Sequence, residues 1–135
     1  MTVDIKPLSN AVARLEEGWQ IYRRDTTHTL IRDGLIQRFE FTYEIAHKML
    51  KRYLEAASPS PEQYDGMPFP DLIRSGNEAG LLLGDWPKWR TYRDMRGKTS
   101  HTYDERVALE VVAGIPEFME EAKFLRDKLA ERISG

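Results

Sequence analysis

The chain has 135 residues, 41% of them hydrophobic, and a formal net charge of −2, which suits one domain on a single core and excludes a globally basic nucleic-acid binder. The absence of cysteine excludes disulfides, thiolate metal cages and a cysteine nucleophile. No apolar run approaches the roughly 18 residues of a membrane span, and Met1 to Lys6 lacks the pattern of a signal peptide, so the expectation is a soluble, cytoplasmic domain over 1–135 with no membrane association.

The apolar spacing is helical almost throughout. Ser9 or Asn10 is placed to cap a first helix whose face carries Val12, Leu15, Trp19 and Tyr22, with Leu8 just ahead. Asp25-Thr26-Thr27 breaks it. A second, longest helix is expected from His28 or Asp33 to Ala57. Its stripe of Leu35, Phe39, Thr42, Ala46, Met49 and Tyr53 is widened by Ile36, Tyr43, Leu50 and Leu54. So wide a face needs burial on two sides, as at the centre of a bundle. Ser58-Pro59-Ser60-Pro61 ends this helix, because proline disfavours helix at the residue before it.

A polar loop follows over 58–68. Pro70 opens a short third helix expected to reach about Leu83, weakened by Gly76 and Gly80. Asp85 is placed to cap a fourth helix from Trp86 to about Gly97. A last helix is expected from near Asp104, with Val107, Val111, Ile115, Phe118, Ala122, Leu125 and Leu129 on its apolar face. Pro116 inside that pattern predicts a kink or short interruption. The expected fold class is all-α, a four-helix up-and-down bundle with an additional short helix. The apolar faces of the first, second and last helices exceed the needs of one core, which predicts a homodimer.

The stretch Arg96-Gly97-Lys98-Thr99-Ser100-His101-Thr102-Tyr103 carries the chemistry. Arginine is a permanent cation suited to phosphate, histidine exchanges protons near neutrality, and tyrosine offers a modifiable hydroxyl. Lys88, Arg90, Arg93, Arg96 and Lys98 sit close together, opposed in sequence only by Asp94 and interleaved with Trp86, Trp89 and Tyr92. Such a face is either solvated or a phosphate-binding surface. Arg93 and Arg96 share a helix face. Arg96 and His101 would stand about 140° apart on an unbroken helix, so a break near Gly97 and Ser100 is expected, with Arg96 ending one helix and His101 beginning the next. Both are expected to be exposed there. A second copy across a two-fold axis is another way to complete the site.

Arg32 to Ala46, together with Arg96-x4-His101-Thr102-Tyr103-Asp104-Glu105, resembles the nucleotidyltransferase substrate-binding proteins of the HEPN superfamily of helical nucleotide-binding domains. Ile73-Arg74 and Gly80-Leu81-Leu82 fit the intervening segment, and the resemblance runs from about Leu8 to Leu129. Gly97 stands where that family commonly has asparagine, and His47 where tryptophan is common. The resemblance implies a dimeric helical bundle whose partner is a separately encoded minimal nucleotidyltransferase. In the related toxin branch the R-x4-H-x-Y motif marks a metal-independent ribonuclease, which the partner silences by transferring AMP to the motif tyrosine. Carried over by position, Arg96 and His101 would be catalytic and Tyr103 the modification site.

The residue types fit that chemistry. Histidine can deprotonate a ribose 2′-OH or protonate a leaving 5′-oxygen, and arginine can stabilise charge on the scissile phosphate. Arg93 and Lys98 are the candidate phosphate-binding cations. No metal site and no cofactor are expected, since His28, His47 and His101 are scattered, and His47 reads as a helix-face histidine. Tyr103 could also be packing at the start of the last helix. Glu40, Glu44, Arg32 and Arg38 lie beside the apolar stripe of the second helix and either line an inter-helix groove that meets the motif or form a solvated face. Of these, Arg32 is expected on a solvated face and Arg38 and Glu44 in buried or interfacial positions, while Asp104-Glu105 are charges favourable to the last helix's first turn. Two classes of function follow. One is an RNA-cleaving toxin; the other is a non-catalytic subunit that presents nucleotide or another substrate to the nucleotidyltransferase.

Overall fold

Five α-helices and two 3₁₀ turns make up residues 3–134, the part of the chain described by this computed structural model. Met1 and Thr2, at the start of the segment that lacks a signal-peptide pattern, lie outside the described residues, as does Gly135.

Helix α1 runs Lys6–Tyr22, starting ahead of Ser9 and Asn10, which lie within it. Pro7 sits in its first turn, where its fixed φ suits a helix and its missing donor costs nothing. The Lys6 N–H donates to Asp4 Oδ1 at 2.9 Å. Helix α2, Thr29–Ala57, is capped by His28, whose Nδ1 accepts from the Ile31 N–H at 3.2 Å. All ten stripe residues predicted for it are buried. It packs antiparallel to α1: Arg38 Nη1 donates to the Arg14 carbonyl at 2.7 Å and pairs with Glu17 at 2.9 Å, while the buried Thr42 hydroxyl reaches the Ala11 carbonyl at 3.3 Å.

A 3₁₀ turn at Pro61–Tyr64 leads to α3, Phe69–Glu78, which stops short of the expected Leu83. The reason is Gly80, whose φ of +74° no L side chain adopts readily. Its N–H donates to the Asn77 carbonyl at 3.0 Å and that of Leu81 to Gly76 at 2.9 Å, a Schellman closure. Leu81 and Leu82 are buried outside the helix. The next two backbone N–H groups, of Leu83 and Gly84, both donate to the Glu121 carboxylate at 2.7 Å. Glu121 is fully buried, and burial raises its carboxyl pKa against the lowering effect of those two donors.

Helix α4, Trp86–Lys98, begins after Asp85, which occupies the cap position without a side-chain cap bond. Thr99–His101 forms a 3₁₀ turn, and α5 runs Glu105–Ser134. Asp104 Oδ1 accepts from the Arg106 N–H at 3.0 Å, closing the first turn of α5. No interruption occurs at Pro116, which lies inside the continuous helix. One missing ladder bond is tolerated because Ile115, Phe118 and Met119 anchor both sides in the core.

Pairs Lys88–Glu117 at 2.6 Å and Lys98–Glu110 at 3.2 Å set α4 antiparallel to α5. Arg32–Glu105 at 3.2 Å joins the starts of α2 and α5, and Arg132, near the end of α5, lies beside Tyr53 and Leu54, near the end of α2. These contacts make α1, α2, α4 and α5 an up-and-down bundle with α3 as the extra short helix, the expected all-α class. Its centre is aromatic. Phe118 meets Phe39 at 5.0 Å and Tyr92 at 5.2 Å between centroids, and Trp89 meets Tyr92 at 5.4 Å, all near edge-to-face. The topology brings the end of α1, the start of α2, the end of α4 and the start of α5 to one end of the bundle.

Candidate functional site

That end carries the motif. Arg96 occupies the last turn of α4, and His101 closes the 3₁₀ turn that follows. The predicted break is therefore present, although His101 lies on the turn and not on α5. The turn is tied down by Thr99, whose buried hydroxyl donates to the Arg96 carbonyl at 2.8 Å, and by the Thr102 hydroxyl, which donates to the Thr99 carbonyl at 3.2 Å. Gly97 is exposed, and a Cβ there would meet nothing within 4 Å, so space does not require glycine.

Arg96 is held more firmly than its place at a junction suggests. Its Nε donates to Glu44 at 3.0 Å, and Nη2 also bonds that carboxylate and pairs with Glu40 at 3.3 Å. Its Nη1 donates to the Thr99 hydroxyl at 3.1 Å. Glu40 and Glu44, four apart on α2, thus form a carboxylate seat for the guanidinium, whose pKa rises chiefly through the Glu44 hydrogen bond. The side chain of Arg96 is 32% exposed, partly buried where an exposed residue was expected.

His101 and Tyr103 differ from Arg96. Both are exposed, Tyr103 at 86%, and their rings stand nearly edge-on, 6.2 Å apart. Neither side chain makes a hydrogen bond among the described residues. Tyr103 therefore does not pack at the start of α5, the alternative role its position allowed. No direct bond joins Arg96 to His101 among the described residues.

The other predicted cations divide. Lys98 is drawn to Glu110 at 3.2 Å, while Arg93 lies over the Phe69 ring, 5.9 Å from its centroid. Tyr43 is pushed up to about 12 mainly by burial, against the lowering effect of the Arg93 and Arg96 charges. His47 is half-buried against Phe69 at 4.5 Å, and burial, Lys51 and Arg93 together hold its pKa below the usual range. No group of three or more His, Asp or Glu side chains among the described residues is arranged to hold a metal ion. None of the described helices is long and apolar enough to cross a membrane.

One assignment on α2 changes. Arg32 is buried, not solvated: its Nη1 pairs with Glu105, and its Nε has no partner among the described residues. Glu44, expected in a buried or interfacial position, takes the interfacial one: it bridges α2 to α4 with 55% of its side chain exposed.

Residues 3–131 match the family described as nucleotidyltransferase substrate binding protein like. The chain belongs to this family. It is 43% identical over 99 residues to a Haemophilus influenzae protein named "Probable ribonuclease HepT", covering 73% of this chain and 67% of that one. A solved Haemophilus influenzae structure, described as revealing the fold of a substrate binding domain of a nucleotidyltransferase, superimposes with a TM-score of 0.86 at 36% identity. That alignment covers 94% of this chain and 99% of the other. For this member of the substrate-binding family, the sequence singled out Arg96, His101 and Tyr103 but not the pairing of Glu40 and Glu44 with Arg96. Their i, i+4 spacing beside the α2 stripe was the available signal.

Proposed function

We propose that this chain is the ribonuclease-type, toxin-like subunit of a two-component pair whose other member is a separately encoded minimal nucleotidyltransferase. The observation that carries this reading is the exposed His101–Tyr103 pair, whose side chains make no hydrogen bond among the described residues, on the turn directly after the arginine-bearing end of α4. Side chains so placed are available for chemistry on a ligand. The likeness to the protein named "Probable ribonuclease HepT" supports the same assignment.

In this reading Arg96 holds the scissile phosphate and stabilises its transition-state charge. His101 takes the proton of the ribose 2′-OH as the 2′-oxygen attacks phosphorus, and the 5′-oxygen leaves with a proton. The products are a 2′,3′-cyclic phosphate and a 5′-hydroxyl. A homodimer brings two copies of the motif together, so that a second His101 supplies the leaving-group proton. Apolar side chains left exposed at the motif end, Leu30 at 75% and Leu109 at 48%, fit a protein-covered surface there. Tyr103 is the modification site. Its hydroxyl attacks the α-phosphorus of ATP on the partner, the new O–P bond replaces the bond to pyrophosphate, and the phenol proton is lost to solvent. The added phosphate sits beside the motif and excludes RNA by charge and bulk.

A second reading is favoured by the structure described as a substrate binding domain: a non-catalytic subunit presenting substrate to the nucleotidyltransferase. Incubation with the cognate partner, ATP and Mg²⁺, followed by intact-mass spectrometry and an RNA-cleavage assay, separates the two. The ribonuclease reading expects cleavage by the unmodified chain, one added AMP, its absence in Tyr103→Phe, and silencing on modification. Absence of both cleavage and AMP addition would leave the substrate-presenting subunit.

A further inference from the structure

From the geometry of α2, α3 and α4 we infer a second ligand site beside the motif: a cationic and aromatic shelf formed by Lys51, His47, Arg93 and Phe69 that binds a nucleotide unit, base on ring and phosphate on cation. The inference rests on the ribonuclease reading only for the source of that nucleotide, the strand running on from the scissile phosphate.

Position comes first. Glu40, Glu44, His47 and Lys51 follow one another by three or four residues and so form one stripe along α2. The side of α4 facing this stripe carries Arg96 and Arg93. Arg96 sits on Glu40 and Glu44, whereas Arg93 and Lys51 are both close enough to His47 to depress its pKa. Arg96 and Arg93 are joined in turn through Tyr43, which both guanidiniums influence. Arg93 over the Phe69 ring and His47 against the same ring place this shelf next along α2 and α4 from the Arg96 seat.

Charge comes second. Arg96 and Lys98 are ion-paired with carboxylates, but neither Arg93 nor Lys51 has an ion-pair partner among the described residues. Two cations without ion-pair partners thus flank a half-buried imidazole, whose pKa is lowered first by burial and then by these charges.

Aromatic surface comes third. Phe69, half-buried, is flanked by His47 at 4.5 Å and by Trp86 at 5.7 Å, with the Arg93 guanidinium over its ring. Beyond Trp86 a groove of about 280 Å³ opens between α3 and α4, lined by Pro70, Arg74, Asn77, Asp85, Trp86 and Pro87. Bases of single strands stack on such rings and on arginine planes, and phosphates follow the cations.

The test uses the full-length His101→Ala protein, so that RNA is bound without being cut, and a fluorescent single-stranded RNA of about ten nucleotides. Lys51→Ala combined with Arg93→Ala should weaken binding roughly tenfold and lower the salt slope by about 0.7 for each phosphate that the variant no longer neutralises. His47→Ala should weaken binding several-fold, with the salt slope unchanged. Charge removal near the far end of α5, Lys128→Ala, should change nothing. NMR of the His47 imidazole adds a direct readout, since its pKa should rise when RNA binds. ATP and AMP serve as competitors: competition assigns the shelf to a free nucleotide as well as to RNA, and its absence assigns it to the strand alone. Unchanged affinity and salt slope in the double variant would overturn the shelf, whether or not the wild type cleaves RNA. If binding weakens as expected in a protein whose wild type never cleaves, the shelf stands and the ribonuclease reading falls.

Discussion

Arg96→Ala is expected to leave the bundle folded while eliminating RNA cleavage, and the structure sets the size of its structural cost. The substitution removes bonds from Arg96 to Glu44, Glu40 and the Thr99 hydroxyl. The carboxylates are 55% and 37% exposed and Arg96 32%, so solvent screens both pairs, and each is worth ~0–1 kcal/mol. Thr99 is not orphaned, because its hydroxyl still donates to the backbone carbonyl of residue 96. Glu40 and Glu44 are left as like charges four apart, which adds ~0.2–0.5 kcal/mol. The total is at most ~2.5 kcal/mol against a domain stability of ~5–15 kcal/mol, a fall in Tm of no more than about 10 °C. Thermal melting by circular dichroism, run beside the RNA-cleavage assay, measures both quantities. High salt should narrow the difference between wild type and variant. A destabilisation above ~3 kcal/mol would refute the argument by making Arg96 a structural keystone. Full cleavage by the variant would refute the catalytic assignment.

Phe118→Ala should cost ~3–5 kcal/mol, because Phe118 is fully buried against Phe39, Tyr43, Trp89 and Tyr92; urea unfolding checks it, and a cost below ~1 kcal/mol would contradict the packing described. His47 gives a pH prediction. Its folded pKa lies below the ordinary 6.5, so the unfolded chain takes up the proton first. The stability tied to neutral His47 is complete above 6.5 and declines as pH falls from 6.5 through the lower folded value. His47→Phe should remove that slope from the difference in urea midpoints between wild type and variant, and identical pH dependence in the two would count against it. Light scattering of the purified chain should give twice the 15.7 kDa of a monomer, and a monomer at micromolar concentration would remove the dimeric site.

Much of the bundle was legible in the sequence because its helices obey apolar periodicity. The α2 stripe is an example, all ten of its residues being buried as the spacing required. The misjudged boundaries were set by signals other than periodicity. Pro7 and Asp4 start α1 ahead of Ser9, and Gly80 at positive φ ends α3 before its apolar pattern does. At the site, the R-x4-H spacing located Arg96, the break and His101. It could not locate Glu40 and Glu44, whose partner lies 52 residues beyond Glu44 in sequence. Arg32 looked solvated for the same reason: the carboxylate that holds it, Glu105, lies 73 residues away and meets it only through the parallel packing of α2 and α5. Long-range ion pairs depend on helix docking, which periodicity does not encode.

The central claim is that His101 and Arg96 cleave RNA, and one measurement addresses it most directly: purified wild-type and His101→Ala proteins incubated with single-stranded RNA in EDTA, with the ends of the products identified. The account predicts cleavage by the wild type in the chelator, leaving 2′,3′-cyclic phosphate and 5′-hydroxyl ends, with the rate reduced at least about 100-fold in a folded His101→Ala, the usual size of a general acid–base contribution. Equal cleavage by the two proteins, or 3′-hydroxyl and 5′-phosphate products, would contradict it.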